Sequence, residues 1–315
     1  MVTEPGKPRK PPLSITLPLS THHPELEGTN NMDQLVKQLN EACDAQEFDT
    51  LWYIKDLKTG QEAHRSGHTV VPSASTRKIA ILMTALKQVN EGIRSLDEPF
   101  LIEEEYQDTT SGTFQHLKPG FEITFFDALV MMIIVSDNTC TGKVADIVGL
   151  DNVNALCQSI GMTGTSHRDG RGSATTKGLP WDHPVEASNA TTVVDLGILL
   201  DIMVKGLEEP EAAAKLGCTT DLVKVGMDIL LWQKLNQRLP YLLPPQAKVA
   251  HKTGTGARNQ NDAGIVFSDG EPRFIIVVLT DQVPPAVSSG AGGAGTASLH
   301  SANLCLMAWN ALVAS

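Results

Sequence analysis

Strand-like segments stand near both ends of the 315-residue chain, and helical patterns fill the middle. Near the start, an apolar run over residues 51–55 is followed by turn residues and by a second strand ending near Val71, which predicts a hairpin. After Pro245, further strand-like runs occur at residues 248–253, 263–267 and 274–279. The simplest arrangement is an α/β fold in which N-terminal and C-terminal strands form one antiparallel sheet.

Helices are expected beside this sheet and in a separate all-helical lobe. Helical spacing predicts terminal helices over residues 32–46 and 297–313, which would flank the sheet. Helical patterns also occur at residues 75–89, 125–135, 139–148, 153–160, 191–205 and 219–236. We expect a single domain over residues 32–315, with an α/β lobe at 32–74 and 245–315 and a helical lobe at 75–244.

Composition limits the expected partners and location. The net charge of −11 argues against nucleic acid, and no apolar run approaches the roughly 20 residues of a membrane span. Residues 1–31 are rich in Pro, Thr, Ser and Lys and predict a disordered leader rather than a secretory signal. Five scattered cysteines favour a cytoplasmic protein with reduced thiols, or a periplasmic or secreted one if a signal was removed. The oligomeric state stays open.

The segment Ser75-Thr76-Arg77-Lys78 carries a hydroxyl and an amine three residues apart at the start of a predicted helix. Side chains at this spacing share a helix face, so Ser75 and Lys78 are expected within reach of each other. A buried lysine takes a proton from a neighbouring hydroxyl more readily, and a helix N-terminus favours an oxyanion. Such pairs also arise by chance, but the apolar helix and the entry Pro72-Ser73-Ala74 favour a nucleophile here.

Two further motifs follow in order. Ser136-Asp137-Asn138 would either cap two successive helices or supply a proton shuttle and an amide that binds substrate. Lys-Thr-Gly occurs twice, and Lys58-Thr59-Gly60 is interpreted as a hairpin turn. Lys252-Thr253-Gly254 ends a strand-like run, where Gly254 would admit a ligand close to the backbone.

Together the three motifs resemble the signatures of class A β-lactamases and penicillin-binding enzymes, in family order and at similar spacing. The resemblance extends to the segments at residues 56–60, 73–75, 134–139, 251–254 and 261–264. It covers roughly residues 32–313. It implies a β-lactamase-like, DD-peptidase-like fold and a serine hydrolase that forms an acyl-enzyme.

The resemblance also implies residue roles. Ser75 would be the nucleophile, Lys78 its general base or proton partner, and Ser136 the relay to the leaving nitrogen. The amides of Ser75 and Thr255 would form the oxyanion hole. The residues implied to bind substrate are Asn138 for its amide and Lys252, Thr253 and Thr255 for its carboxylate, with Gly254 beside them.

The long loop at residues 163–190, between the second and third motifs, departs from the family pattern. Class A enzymes place a Glu-x-x-x-Asn element there, whose Glu positions the water that hydrolyses the acyl-enzyme. Here the nearest imitation is Glu186 with Asn189, at a spacing of three rather than four. Asp169 and Asp182 are other candidates, and all three would otherwise only solvate the loop.

Other charged residues complete the expected site. Arg238, Arg258 or Arg273 could supply a counter-charge for a carboxylate, and Arg238 is preferred because it leads into the strand of the third motif. His167 and His251 have no partners at metal-binding spacing, so we expect neither a metal nor a cofactor.

The favoured function is β-lactam hydrolysis on a small substrate bearing a carboxylate. The alternatives are an esterase or amidase for another acyl substrate, and a penicillin-binding protein or sensor that acylates without efficient turnover. A scaffold that has lost its chemistry is disfavoured, because buried lysines without a role are costly.

Overall fold

The computed structural model describes residues 31–107, 110–168 and 189–314. Its strands are β1 (Asp49–Asp56), β2 (Glu62–Arg65), β3 (Val71–Pro72), β4 (Pro99–Leu101), β5 (Glu122–Thr124), β6 (Ser166–His167), β7 (Asn189–Thr191), β8 (Lys248–Gly256), β9 (Asn259–Ser268) and β10 (Glu271–Asp281). Its α-helices are α1 (Asn31–Asp44), α2 (Lys78–Asn90), α3 (Phe125–Ile134), α4 (Asn138–Val148), α5 (Leu150–Ser159), α6 (Val193–Lys205), α7 (Pro210–Lys215), α8 (Thr220–Leu231) and α9 (Gly293–Leu312). The predicted leader lies outside the described residues, apart from its last residue, Asn31, which begins α1.

A five-stranded antiparallel sheet in the order β2-β1-β10-β9-β8 forms the centre of the fold. β1 pairs with β10 along its whole length, from Asp49 opposite Asp281 to Asp56 opposite Phe274. The predicted sheet built from both ends of the chain is therefore confirmed. β8, which carries the third motif, is the edge strand nearest the helical lobe, so one of its edges is left for a ligand.

The first hairpin differs from its prediction in one respect. Its turn contains Lys58-Thr59-Gly60 as expected, and the Asp56 carboxylate accepts hydrogen bonds from the Lys58 amide (2.9 Å) and the Thr59 hydroxyl (2.6 Å). The second strand, however, ends at Arg65 and not near Val71. Ser66 has a φ of 52°, which turns the chain out of the sheet, and Val71 pairs with Thr191 in a separate three-stranded sheet.

Helices cover both faces of the sheet. α1 and α9 pack together on one face over a cluster that includes Trp52, Phe274 and Trp309. α6 packs against β1 and β10 on the other face, where the core continues into the helical lobe. In that lobe α2 is buried along most of its length and contacts α4, α5 and α8. The α/β fold class with its helical lobe is confirmed.

The structure contains short elements that the sequence did not predict. Short strands form the pairs β4–β5 and the sheet β3-β7-β6, and α7 begins at a proline. The predicted helix over residues 219–236 ends earlier, at Leu231. The reason is Gln233, whose side-chain oxygen accepts the amides of Lys234 and Leu235 (3.0 Å each) and so replaces helical bonds.

The two lobes meet beside β8. The Gln233 side-chain amide donates to the carbonyl of Ile133 in α3 (3.0 Å) and to that of His251 in β8 (3.3 Å). These bonds hold the end of α3, which directly precedes the second motif, against β8, which carries the third motif. Across the described residues, no helix combines the length and apolar character that a bilayer span requires.

Candidate active site

The nucleophile motif lies in a 3₁₀ turn, Ala74–Arg77, rather than in the first turn of an α-helix. The Thr76 hydroxyl donates to the Ser73 carbonyl (2.7 Å), and its amide reaches the same atom (3.3 Å), which favours the tighter turn. Ala74, directly before Ser75, has a φ of 47°. A non-glycine residue in this region is uncommon and costs on the order of 1–3 kcal/mol, so the surrounding contacts must hold it.

Those contacts come from β9. The Asn261 side-chain amide donates to the carbonyls of Pro72 (2.9 Å) and Ser73 (3.3 Å), and Asn259 donates to Pro72 as well (3.0 Å). The Asn261 oxygen in turn accepts the amide of Thr280 (3.1 Å). The sheet therefore holds the entry to the turn, and Ser75 is left half-buried. No spacing pattern in the sequence indicates this role of Asn261.

Lys78 lies behind Ser75 and is 1 % exposed. Its Nζ donates to the Ser136 carbonyl (2.9 Å), the Ser136 hydroxyl (3.0 Å) and the Asn138 side-chain oxygen (2.8 Å). Within the described residues, Nζ makes no hydrogen bond to Ser75, so the direct contact expected between the two is not formed in this arrangement. The first and second motifs are instead joined through Lys78.

The pKa of Lys78 is lowered well below its ordinary value. Burial is the largest cause, followed by the positive charges of Lys252 and Arg77, while Asp137 opposes the shift. A lysine in this position exists more readily as the neutral amine, which has a lone pair for a proton. Arg77 itself is held by Asn189, whose side-chain oxygen accepts a hydrogen bond from Nη1 (2.7 Å).

The second motif forms the helix cap that was one of its two interpretations, and its roles as proton shuttle and substrate-binding amide stay predictions. Asp137 caps α4, since its Oδ1 accepts the Cys140 amide (3.1 Å). Its Oδ2 also accepts the amides of Thr113 (2.6 Å) and Phe114 (2.8 Å), so Asp137 holds the loop that contains them. Ser136 has a φ of 57°, which aims its carbonyl and hydroxyl at Lys78.

The side-chain amide of Asn138 is held between Lys78 and Thr110. Its side-chain oxygen accepts from Lys78, and its Nδ2 donates to the Thr110 hydroxyl (2.6 Å). Thr110 was not singled out in the sequence, because no motif includes it. These contacts fix the orientation of the amide, and the binding of a substrate carbonyl by Asn138 stays a prediction.

The third motif presents a buried lysine and two threonines along β8. Lys252 is fully buried and its Nζ donates to the Thr253 carbonyl (2.7 Å). Burial lowers the pKa of Lys252 to about 7, against the opposing charge of Asp262, and Arg238 adds to the lowering. Thr253 is buried, whereas Thr255 is exposed at the end of the strand.

Arg238 is buried at the end of β8 and lies beside Thr255. Its Nη2 donates to the Thr255 hydroxyl (2.6 Å) and to the side-chain oxygen of Gln260. The remaining acceptors of its guanidinium are the carbonyls of Gly254 (3.0 Å) and Asn261 (2.5 Å) and the hydroxyl of Ser298 (3.4 Å). All five N–H groups are thus bonded within the protein, so Arg238 orients Thr255, and Thr255 keeps its own proton for a ligand.

The other arginines and the loop acids stand apart from this arrangement. Arg258 pairs with Asp281 (2.8 Å), and Arg273 donates to the carbonyl of Leu312 (3.4 Å). Glu186, with Asp169 and Asp182, lies outside the described residues, so their assignment as a deacylating base stays a prediction.

The two histidines named in the sequence have structural partners. His167 is buried against Asn154, whose side-chain oxygen accepts the His167 amide (2.8 Å). Burial and the charge of Arg77 lower the pKa of His167 to about 3. His251 faces Asp262, with 2.9 Å between Nδ1 and Oδ1.

A two-lobed α/β fold with a serine turn, a buried lysine and a Lys-Thr-Gly edge strand at the lobe junction defines the β-lactamase and penicillin-binding class of proteins. The chain belongs to the β-lactamase enzyme family, whose model matches residues 34–297. No curated protein matches the chain.

Solved structures share its fold at low identity. A β-lactamase from Sphaerobacter thermophilus DSM 20745 has a TM-score of 0.73 at 22% identity, over 89% of this chain and 97% of that one. A class A β-lactamase representative from Bacteroides cellulosilyticus DSM 14838 has a TM-score of 0.74 at 18% identity, over 91% and 100%. A mutant of PBP-A in an acyl-enzyme complex with penicillin G has a TM-score of 0.72 at 24% identity, over 89% and 96%.

Proposed function

We propose that the protein is a serine hydrolase that opens β-lactams through an acyl-enzyme on Ser75. The observation that carries the proposal is the contact of Lys78 Nζ with the Ser136 hydroxyl at 3.0 Å, behind the serine turn. It supplies a buried amine with a lowered pKa and a second hydroxyl that leads toward the leaving group. Family membership supports a hydrolase of this kind.

The proposed reaction has two halves. Neutral Lys78 takes the proton of Ser75 as Oγ attacks the carbonyl carbon, and the backbone amides of Ser75 and Thr255 stabilise the oxyanion. The C–N bond then breaks, and the proton passes from Lys78 through Ser136 to the leaving nitrogen. Water finally attacks the ester, releases the acid and regenerates the Ser75 hydroxyl.

Binding of the substrate carboxylate is assigned to the β8 side of the cleft. Lys252 supplies the positive charge, and the hydroxyl of Thr255 supplies a hydrogen bond, with Arg238 behind it. Asn138 is assigned to the amide beside the reacting carbonyl. The substrate class is therefore a small amide or ester that bears a carboxylate.

Intact-mass spectrometry over time with a penicillin, a cephalosporin and a simple activated ester tests the proposal. We expect an adduct that appears and clears and that is absent in Ser75→Ala. Ser73→Ala, which changes a serine two residues earlier, is the matched control and should form and clear the adduct like the unchanged protein. An adduct on Ser75→Ala would overturn the assignment of the nucleophile.

The same experiment separates the alternatives. An adduct that stays would indicate a penicillin-binding protein or sensor, as with the PBP-A mutant that forms an acyl-enzyme complex with penicillin G. Ester turnover without a β-lactam adduct would indicate an esterase or amidase. If Glu186 positions the hydrolytic water, Glu186→Gln would convert a clearing adduct into a lasting one.

A further inference from the structure

Residues 110–114 are held against the second motif through their main chain. The Asp137 carboxylate accepts the amides of Thr113 (2.6 Å) and Phe114 (2.8 Å). Gly112 has a φ of 98°, and a Cβ atom added to it would overlap the Asp137 carboxylate. Only glycine allows so close an approach in this backbone conformation. The segment therefore has a defined position beside the second motif that does not depend on its own side chains.

One side chain of this segment contacts a motif residue. The Nδ2 group of Asn138 donates to the Thr110 hydroxyl oxygen (2.6 Å), and the main-chain amide of Asn138 donates to the carbonyl of Ser111 (3.0 Å). Thr113, a second threonine in the segment, instead gives its main-chain amide to Asp137, and its side chain is exposed. Thr110 thus differs from its neighbour in having a hydroxyl that meets the second motif.

The side-chain amide of Asn138 is fixed at both ends. The Lys78 ammonium can only donate hydrogen bonds, so the oxygen of Asn138 faces it, at 2.8 Å. The NH2 group then stands at the other end, where Thr110 accepts one of its hydrogens. Both N–H bonds lie in the amide plane, so fixing one of them fixes the direction of the other. Without Thr110, this contact would be lost and Lys78 would still hold the oxygen.

We propose that Thr110 is a positioning residue that sets the direction of the Asn138 N–H groups and so determines how strongly the site prefers substrates with an acylamino group beside the reacting carbonyl. The proposal rests on the proposed function, in which Asn138 is assigned to that amide. It goes beyond that function because Thr110 belongs to none of the three motifs and acts through Asn138. Its hydroxyl is an exposed group that reaches the buried Lys78 through one intervening side chain.

Two substitutions at Thr110 separate its hydroxyl from its shape. Thr110→Val removes the hydroxyl at nearly constant volume, and Thr110→Ser retains it. Benzylpenicillin and 6-aminopenicillanic acid form the pair of probes, because the second lacks the acyl carbonyl. The second-order rate constant for adduct formation on the full-length protein is to be measured by rapid quench and intact-mass spectrometry.

We expect Thr110→Val to slow acylation by benzylpenicillin about fivefold, the effect of losing one neutral hydrogen bond, and to leave 6-aminopenicillanic acid unchanged. Thr110→Ser should behave like the unchanged protein with both probes. Thr113→Val, the same chemical change three residues later, is the matched control and should alter neither rate constant. Thr110→Ala shortens an exposed side chain and should reproduce the result for valine, which guards against a folding defect.

A double-mutant cycle tests whether Thr110 acts through Asn138. In an Asn138→Ala background, Thr110→Val should leave the rate constant for benzylpenicillin unchanged, because the partner of the hydroxyl has gone. The same loss in both backgrounds would overturn the proposal, and so would an equal loss for both probes.

Failure of this proposal is distinguishable from failure of the proposed function. If no Ser75-dependent adduct forms in the unchanged protein, the proposed function is wrong and this proposal with it. If the adduct forms equally fast in the unchanged protein and in Thr110→Val, only the role of Thr110 is wrong.

Discussion

Gly254 lies against the backbone of Ser75. A Cβ atom added to Gly254 would stand 3.1 Å from the Ser75 amide nitrogen and 2.9 Å from the Ser73 carbonyl oxygen. The edge strand thus approaches the nucleophile turn as closely as a glycine allows. We expect this approach to place the amides of Ser75 and Thr255 close together, as an oxyanion hole requires.

Gly254→Ala should therefore separate the strand from the turn. We expect acylation to slow by about 100-fold, because displacement of an oxyanion donor has an effect of that order. Gly295→Ala is the control, since an added Cβ there meets no atom within 4 Å and a helical alanine is slightly stabilising. Equal acylation rates for the two variants in stopped-flow assays would contradict this account.

The charge of Arg77 should tune Lys78. Arg77 lowers the pKa of Lys78, so Arg77→Met should raise it, and the neutral amine would then form only at higher pH. In a plot of acylation rate against pH, the acidic limb should move to higher pH by about half a unit to one unit. A pH profile of acylation measures this shift. Arg94→Met, in a half-buried pair with Glu98 in the loop after α2, should leave the limb in place.

Arg238 should act through Thr255. Arg238→Lys removes the Nη2 group that donates to both Thr255 and Gln260. KM for a substrate with a carboxylate should therefore rise about tenfold, with a smaller change in kcat. Arg258→Lys should change neither constant, because that residue pairs with Asp281. A similar rise in KM for a substrate without a carboxylate would argue for general damage to the site.

Asp137 should matter for stability as much as for chemistry. Asp137→Ala removes a helix cap and leaves the part-buried amides of Thr113 and Phe114 without an acceptor. We expect the free energy of unfolding to fall by about 3 kcal/mol. Asp127→Ala, which breaks an exposed capping box, should lower it by about 1 kcal/mol. Urea unfolding at neutral pH compares the two.

His167 should make the protein sensitive to mild acid. Its pKa is about 3 in the folded protein against an ordinary value of 6.5, so the unfolded chain takes up a proton first as the pH falls. Stability is therefore full above pH 6.5 and declines below it, by about 1 kcal/mol between pH 6 and 5. His167→Gln should flatten this part of the profile, and His116→Gln, at an exposed position, should not.

Periodic patterns predicted most of the architecture. The apolar spacing in α1 and α9 and the strand-like runs after Pro245 correspond to observed elements, and turn residues marked the first hairpin. The three motifs also indicated the lobe junction, because their residue types and order are unusual in combination. These features are local or follow one chemical pattern, so a single sequence carries them.

What escaped prediction depends on contacts between distant segments. Asn261 holds the entry to the Ser75 turn from β9, and Thr110 orients Asn138 across the cleft. The positive φ of Ala74 and Ser136 has no local signal, since neither residue type favours it. Likewise, the acceptors for all five donors of Arg238 come from three separate segments of chain, β8, β9 and α9. Such arrangements become visible only when the fold is known.

The pairing of β1 with β10 places a condition on folding during synthesis. β1 is made early, but its partner β10 and the edge strand β8, which faces Ser75, are made late. The helical lobe can fold before synthesis is complete, whereas β1 keeps an unpaired edge until the C-terminal strands have been made. Such long-range pairing slows folding and exposes the waiting edge to association. Truncation near the C-terminus would therefore leave an insoluble chain rather than a weakened enzyme.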